Sequence, residues 1–338
     1  MPPLILHKMK KLFTLILLAT TILSYGQDSL KSNLSLEGSV DVYYRRNLST
    51  AKTDLAPATS FANLNGFSLG MFNLISSYDT KNTGVVADLV FGPRGEDAVF
   101  LSTGSSNIIN QLYVYWDVSN RMTLTMGNFN TFLGYEVISP SGNFNYSTSY
   151  MFSYGPFSHS GLKADIALSD DFTAMLAVLN ATDATDFNPS NFSTLGAVLA
   201  YKSTYLNFLF GKQDPASEAT FQIDLTGGYN LSKKFYLGVN STYNDTDGNG
   251  FYGAALYPQY SFGKLTAGLR GEYFAETGDG VGAIGPDANV INFTTTLDYA
   301  KENLNLKLEY RLDKASEQVF EQKDNLSSIV LAAVYSFN

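Results

Sequence analysis

The chain has 338 residues, of which 14% are aromatic and only 16% charged, with no cysteine and a formal charge of −9. A mean hydropathy of −0.04 is too polar for a helical membrane protein, and 22 Tyr with 24 Phe is unusually aromatic for a soluble domain. The missing thiols exclude disulfide staples, thiol catalysis and Cys-ligated metals, and the acidic balance argues against nucleic acid or an anionic lipid surface as partner.

Lys8, Lys10 and Lys11 precede an apolar run over 12–23, and Ser24 and Gly26 are small residues placed for cleavage. Residues 1–26 therefore read as a secretory signal peptide, with Met9 as an alternative start. The run is shorter than the roughly 20 residues a spanning helix needs. Residues 27–338 read as a single domain; without the three lysines, 19 of the 22 basic residues face 31 acidic ones, a formal charge of −12.

After the signal come segments whose side chains alternate with period two, each ended by a Gly/Asn/Asp/Ser cluster. In 34–44, Leu34, Leu36, Val40, Val42 and Tyr44 alternate with Ser35, Glu37, Ser39, Asp41 and Tyr43. One face meets something apolar and the other meets water. Further strands are expected at 64–78, 84–91, 109–118, 122–130, 160–168, 172–180, 193–202, 204–212, 220–230, 234–243, 251–260, 264–274, 290–299, 304–312 and 327–337, about sixteen in all. In the second, the apolar parity slips between Met71 and Phe72, as a β-bulge would cause. No helix of useful length is expected.

The connections alternate in length. Short turns at 79–83, 119–121, 169–171, 203, 231–233, 261–263 and 300–303 separate longer loops at 47–63, 92–108, 131–159, 181–192, 213–219, 244–250, 275–289 and 313–326. This pattern puts every turn at one end of an antiparallel up-and-down β-barrel and every long loop at the other, as in outer-membrane barrels with periplasmic termini. Tyr44, Phe91, Tyr201, Phe235, Tyr260, Tyr273, Tyr299, Tyr310 and Phe337 fall near strand ends, where aromatic girdles sit at the headgroups.

The run LTMGNFNTFLGYEVISPSGNFNYSTSYMFSYGPFSHSGLKA, from Leu124 onward, occurs with AVLNATD at 177–183 and VVADLVFGPRG at 85–95. Together they resemble the OmpL-like family of outer-membrane β-barrel porins. The closing LAAVYSFN looks like an outer-membrane assembly signal, although Asn338 follows the terminal aromatic. The resemblance implies a porin-like channel and supplies no ligand.

Motifs for chemistry are sparse. A Ser-His-acid hydrolase would have to use His159, since His7 lies in or before the signal, and no nucleophile elbow lies near it. GVGAIG at 280–285 matches a dinucleotide fingerprint in letters only, because Pro286 and Asp287 follow where a helix should begin; a flexible external loop is expected. Asp245, Asp247 and Asn249 copy the first half of a calcium loop, but Leu256 stands where the bidentate Glu belongs. No cofactor, firm metal site or catalytic residue is expected.

The inward charges are more informative. Acidic ones, namely Glu37, Asp41, Asp88, Asp117, Asp165, Asp224, Glu272, Asp298 and Glu309, lie around the lumen. Arg45, Arg270, Lys307 and Arg311 make a basic sector where the chain closes on itself, with Lys163 apart from it. Such a lumen implies mild cation preference. A sixteen-stranded barrel at ~4.8 Å spacing and ~40° tilt is on the order of 30 Å across, so it must be narrowed to select. The third long loop is the longest, and its aromatic-rich segment 131–158 has no lipid to face; it is expected to fold into the lumen, as the third loop of general porins does. Its one charged residue, Glu136, is the candidate acidic side of the channel constriction, with Tyr135 and Tyr146 lining it.

The expected function is passive diffusion of small hydrophilic solutes or ions across an outer membrane, without chemistry. Expected partners are outer-membrane lipid, the barrel-assembly machinery through the last strand, the solutes, and further copies in a homo-oligomer. The alternatives are a barrel enzyme of the lipase or protease kind, and an adhesin or receptor acting through the long loops.

Overall fold

A computed structural model describes residues 33–49, 54–190 and 194–338; the segment 1–26, expected to be a signal peptide, lies outside them. The described chain contains sixteen strands. These are β1 (Leu34–Asn47), β2 (Gly66–Asp79), β3 (Thr83–Phe91), β4 (Ile109–Ser119), β5 (Met122–Asn130), β6 (Ser158–Ala167), β7 (Phe172–Leu179) and β8 (Thr194–Tyr201). The second half adds β9 (Thr204–Lys212), β10 (Ala219–Asn230), β11 (Phe235–Thr246), β12 (Asn249–Ser261), β13 (Leu265–Thr277), β14 (Asn289–Lys301), β15 (Leu304–Ala315) and β16 (Asn325–Phe337). Each expected strand has its counterpart, in sequence order. They form a closed antiparallel barrel in which each strand pairs with its chain neighbours and β16 returns to β1, from Gly38↔Phe337 to Asn47↔Ser328.

Alternation decides which side chains face out. Leu36, Val40, Val42, Leu176, Leu199, Leu308 and Leu331 are exposed, whereas Asp41, Arg45, Asp224, Arg270, Glu309 and Arg311 are buried. This inverts a water-soluble protein and suits a wall whose outer face meets hydrocarbon. Outward Tyr201, Tyr260 and Tyr299 sit by the short turns, and Tyr273 and Tyr310 toward the loops, giving two aromatic levels. In β2, Phe67 and Leu69 are exposed, Gly70 and Met71 are both buried, and Phe72 is exposed again, so the parity changes where the sequence slips. Asp41 Oδ1 accepts the Met71 N–H there at 2.9 Å. Pro258 has no N–H to offer, and the ladder from β12 to β13 skips Tyr257 and Pro258.

Two expectations change. The β11–β12 connection is not a long loop, because the ladder runs on to Thr246↔Asn249 and leaves only Asp247 and Gly248, both at positive φ, for the turn. Strict length alternation therefore fails once: a two-residue turn of this kind needs only φ > 0 at both positions, which Asp-Gly supplies. Among the described residues helical structure is confined to short turns in the loops, α1 (Pro93–Ala98), α2 (Tyr150–Tyr154) and a 3-10 turn at Gly104–Ile108. Lastly, the glycine-rich 278–288 segment is packed rather than loose: Ala283 and Ile284 are buried, and Glu276 accepts the N–H groups of Val281, Ala283, Ile284 and Gly285 at 2.5–3.1 Å.

Candidate functional site

Residues 131–157, between β5 and β6, contain only one helical turn of regular structure, so their backbone N–H and C=O groups need partners from elsewhere. The barrel wall supplies them. Asp224 on β10 accepts the N–H of Gly134 at 3.0 Å, and Glu309 on β15 accepts those of Tyr146 and Ser147 at 2.8 and 3.1 Å. Glu272 on β13 accepts the N–H groups of Tyr150 and Met151 at 3.0 and 2.8 Å, at the start of α2. Cations meet the carbonyls: Lys307 Nζ donates to Asn143 and Phe144, Arg270 to Ser147 and Arg311 to Thr148, at 2.5–2.9 Å.

The side chains dock as specifically. Glu136, 5% exposed, pairs with Arg270 at 2.8 Å and also accepts the N–H and O–H of Ser149. Tyr146 is fully buried and donates to Asp41 on β1 at 2.5 Å. Tyr135 bonds Tyr236 at 3.0 Å and stacks on Tyr257, 4.3 Å between centroids. Burial holds the phenols of Tyr135 and Tyr146 well above their ordinary pKa, so both stay neutral hydrogen-bonding groups. Wall glycines leave room for the loop: a Cβ would stand 2.6 Å from Phe132 at Gly196, 2.2 Å from Tyr135 at Gly238 and 2.3 Å from Phe144 at Gly268. Ser139 Oγ reaches Ser39 Oγ at 3.3 Å near the turn end of β1, so the loop descends far down the inner wall.

Other loops close over it. Arg94 in α1 lies between the rings of Phe61 and Tyr146 and donates to the carbonyls of Ile138 and Tyr146, each at 3.1 Å. Phe152 and Phe157 pack with Phe61, Val90 and Val99. At the foot of the loop Asp183 accepts the N–H groups of Phe157 and Ser158 at 2.7 and 2.8 Å, and burial raises its carboxyl to about 6 despite them.

This geometry revises the site expected from sequence. Tyr135, Glu136 and Tyr146 do lie inside the barrel; Tyr135 and Glu136 line a second cavity of about 440 Å³, and Glu136 is at the same time the ion-pair partner of Arg270. Arg45, Arg270, Lys307 and Arg311 do converge, but the three arginines are capped and Lys307 alone borders a cavity; Arg45 donates to Asn47 and the Leu55 carbonyl, and Arg311 to Asp313. The reason is that an irregular loop buried against a wall must have its polar backbone matched. Asp88 is satisfied by Asn73, Asn110 and Gln111. Asp298 meets Asn305 and, at 3.6 Å, Lys307. Glu37 is exposed at the turn end of β1. Asp117, Asp165 and Lys163 line an open cavity of about 870 Å³ beside β4–β10.

The calcium reading of Asp245, Asp247 and Asn249 does not hold. Asp245 and Asn249 are ladder residues either side of the two-residue turn, and Asn249 Oδ1 accepts the Asp279 N–H. His159 is buried, bonded to Thr131 at 3.0 Å and stacked on Phe132, and its Nδ1 has no hydrogen-bond partner where a triad needs an acid. Arg94, Asp183 and Asp313 were missed as site residues. Arg94 stands in the GPRG run, which the sequence marks only through the resemblance.

Comparison with solved structures finds the same architecture at low identity. The outer-membrane channel DcaP of Acinetobacter baumannii is 14% identical, with 90% of this chain and 97% of that one covered and a TM-score of 0.64. An anion-selective porin from Comamonas acidovorans is 13% identical, with 90% and 99% covered and a TM-score of 0.61. The trimer form of OmpT from Vibrio cholerae is 12% identical, with 90% and 99% covered and a TM-score of 0.55. No curated protein matches. Residues 33–337 match the family described as "Putative beta-barrel porin-2, OmpL-like". From its first described strand to its last, then, the chain belongs to the OmpL-like family of outer-membrane β-barrel porins.

Proposed function

We propose that the barrel is an outer-membrane channel through which small hydrophilic solutes and ions diffuse passively, and that residues 131–157 set its bore. The observation that carries this reading is the docked loop. It lines the wall from β10 through β15 to β1, and beside β4–β10 it leaves a cavity of about 870 Å³ lined by both charged and apolar groups. A wall of matched polar groups around a wet space is how a pore restricts size without chemistry.

Charge selectivity is weak in this reading. Most lumen acids are occupied by loop N–H groups or wall amides, and the open cavity carries Asp117 and Asp165 against Lys81, Arg121 and Lys163. Residues 1–26 act as the export signal, β16 as the segment read by the barrel-assembly machinery, and the barrel associates as a homo-oligomer, a state for which the trimeric OmpT neighbour gives structural precedent. Bilayer recording of the purified full chain tests the channel: discrete steps in KCl are expected, and a folded barrel that gives none sinks the proposal. Repeated equal steps per insertion read the oligomer.

A further inference from the structure

On the side of the lumen that the loop leaves open, the wall departs from the polar rule for barrel interiors. The inward positions of β7 include Met175, Ala177 and Leu179, and those of β8 include Val198 and Ala200. Near the loop, Leu179 packs with Phe132. Lower down, Met175, Val198 and Ala200 line the 870 Å³ cavity, together with Lys163, Asp165 and Asp117. Lys163 Nζ is 2.7 Å from Asp165 Oδ2, and both side chains remain partly exposed at 25% and 45%.

We propose that this cavity is a binding step for zwitterionic solutes with an apolar side chain, the chemistry of α-amino acids such as leucine. The proposal rests on the channel reading and names the solute class that the channel favours. The apolar wall is covered only if the solute brings apolar surface. An exposed ion pair holds its partners weakly, so a solute can exchange into it, with its ammonium on Asp165 or Asp117 and its carboxylate on Lys163. A sugar leaves the apolar wall wet. A plain anion meets Lys81, Arg121 and Lys163 but leaves Asp117 and Asp165 without a match, and a plain cation leaves the three basic groups without one. The volume lies within the range of small-molecule sites.

The test uses full-length protein in planar bilayers, with leucine, glycine, glucose, isocaproate and isoamylamine added as blockers of KCl current. Leucine is expected to half-block at a concentration at least tenfold below each of the others. Met175→Asn with Val198→Thr should remove the advantage of leucine over glycine, and Lys163→Gln should bring leucine down to isoamylamine. Equal block by isocaproate and leucine, or by glucose and leucine, overturns the proposal. If no KCl current appears, the channel reading fails by itself, and calorimetric titration of leucine into the detergent-folded barrel decides the site: saturable heat absent with glycine retains it, and no heat overturns it.

Discussion

Arg270 on β13 and Glu136 in the loop form an ion pair 2.8 Å long with both side chains almost fully buried. The guanidinium also holds the Ser147 carbonyl, Asn292 and Thr294, while the carboxylate holds Ser149. Removing one partner leaves a buried charge uncompensated, at a cost of about 3–5 kcal/mol. Arg270→Met should therefore loosen the loop, seen as new protease cleavage within 131–157, while the barrel stays heat-modifiable. Arg270→Met with Glu136→Gln should recover part of the protection. If the double variant is cut as fast as the single, the pair does not hold the loop.

Replacing 139–157 by a short Gly/Ser linker removes the groups that cap Lys307, Arg311, Glu272 and Glu309. Those charges would then face water in a wider lumen. Single-channel conductance should rise several-fold and larger sugars should pass in liposome swelling. Unchanged conductance in a folded barrel would place the narrowing elsewhere.

Gly268 faces the lumen, and a Cβ there would stand 2.3 Å from a Phe144 ring carbon. Gly268→Val should push Phe144 off the wall at a cost of about 1–3 kcal/mol, typical of overpacking. The strand itself gains a β-former and should fold normally. Increased conductance from a barrel that still folds and stays heat-modifiable is the expected result.

Asp183 titrates near 6 because burial outweighs the two N–H groups it accepts. Its folded pKa is raised, so the stability it contributes is complete below its unfolded value of about 3.9 and is lost as pH rises through about 6. Asp183→Asn keeps an oxygen for both N–H groups and suits the positive φ of 61°. The variant should be more stable than the wild type at pH 8 by on the order of 1–3 kcal/mol and equal to it near pH 4. Parallel melting curves from pH 4 to 8 for both proteins would contradict this.

Deleting 328–338 removes most of β16, which pairs with β15 on one side and β1 on the other. An open edge in lipid leaves a row of backbone groups unpaired. The truncated chain should be absent from the outer membrane, and normal levels there would be incompatible with the closed barrel.

The barrel was legible in the sequence because its rule is local. Alternate side chains meet lipid and lumen, so period-two segments such as 304–312 and 327–337 announce strands, and Asn/Asp/Gly clusters announce their ends. The one misplaced loop, 244–250, reads as longer in the sequence because Asp-Gly pairs occur in both loops and two-residue turns, and the register that separates them is a property of two strands at once. Inward placement of Arg45, Arg270, Lys307 and Arg311 also followed from parity alone. What those charges touch did not, because Glu136 and Arg270 lie far apart in the chain and meet only when the loop crosses the lumen. Parity assigns a side chain to a face; whether that face meets water or a backbone needing partners depends on where residues 131–157 come to rest. Arg94 shows the same limit, since nothing in its own segment marks the ring of Tyr146 or the carbonyl of Ile138 as neighbours. Strand number, closure and facing were thus determined by the sequence through side-chain period, while tertiary structure alone decided that the lumen's charges hold a loop, since desolvated polar groups select partners in space and not along the chain.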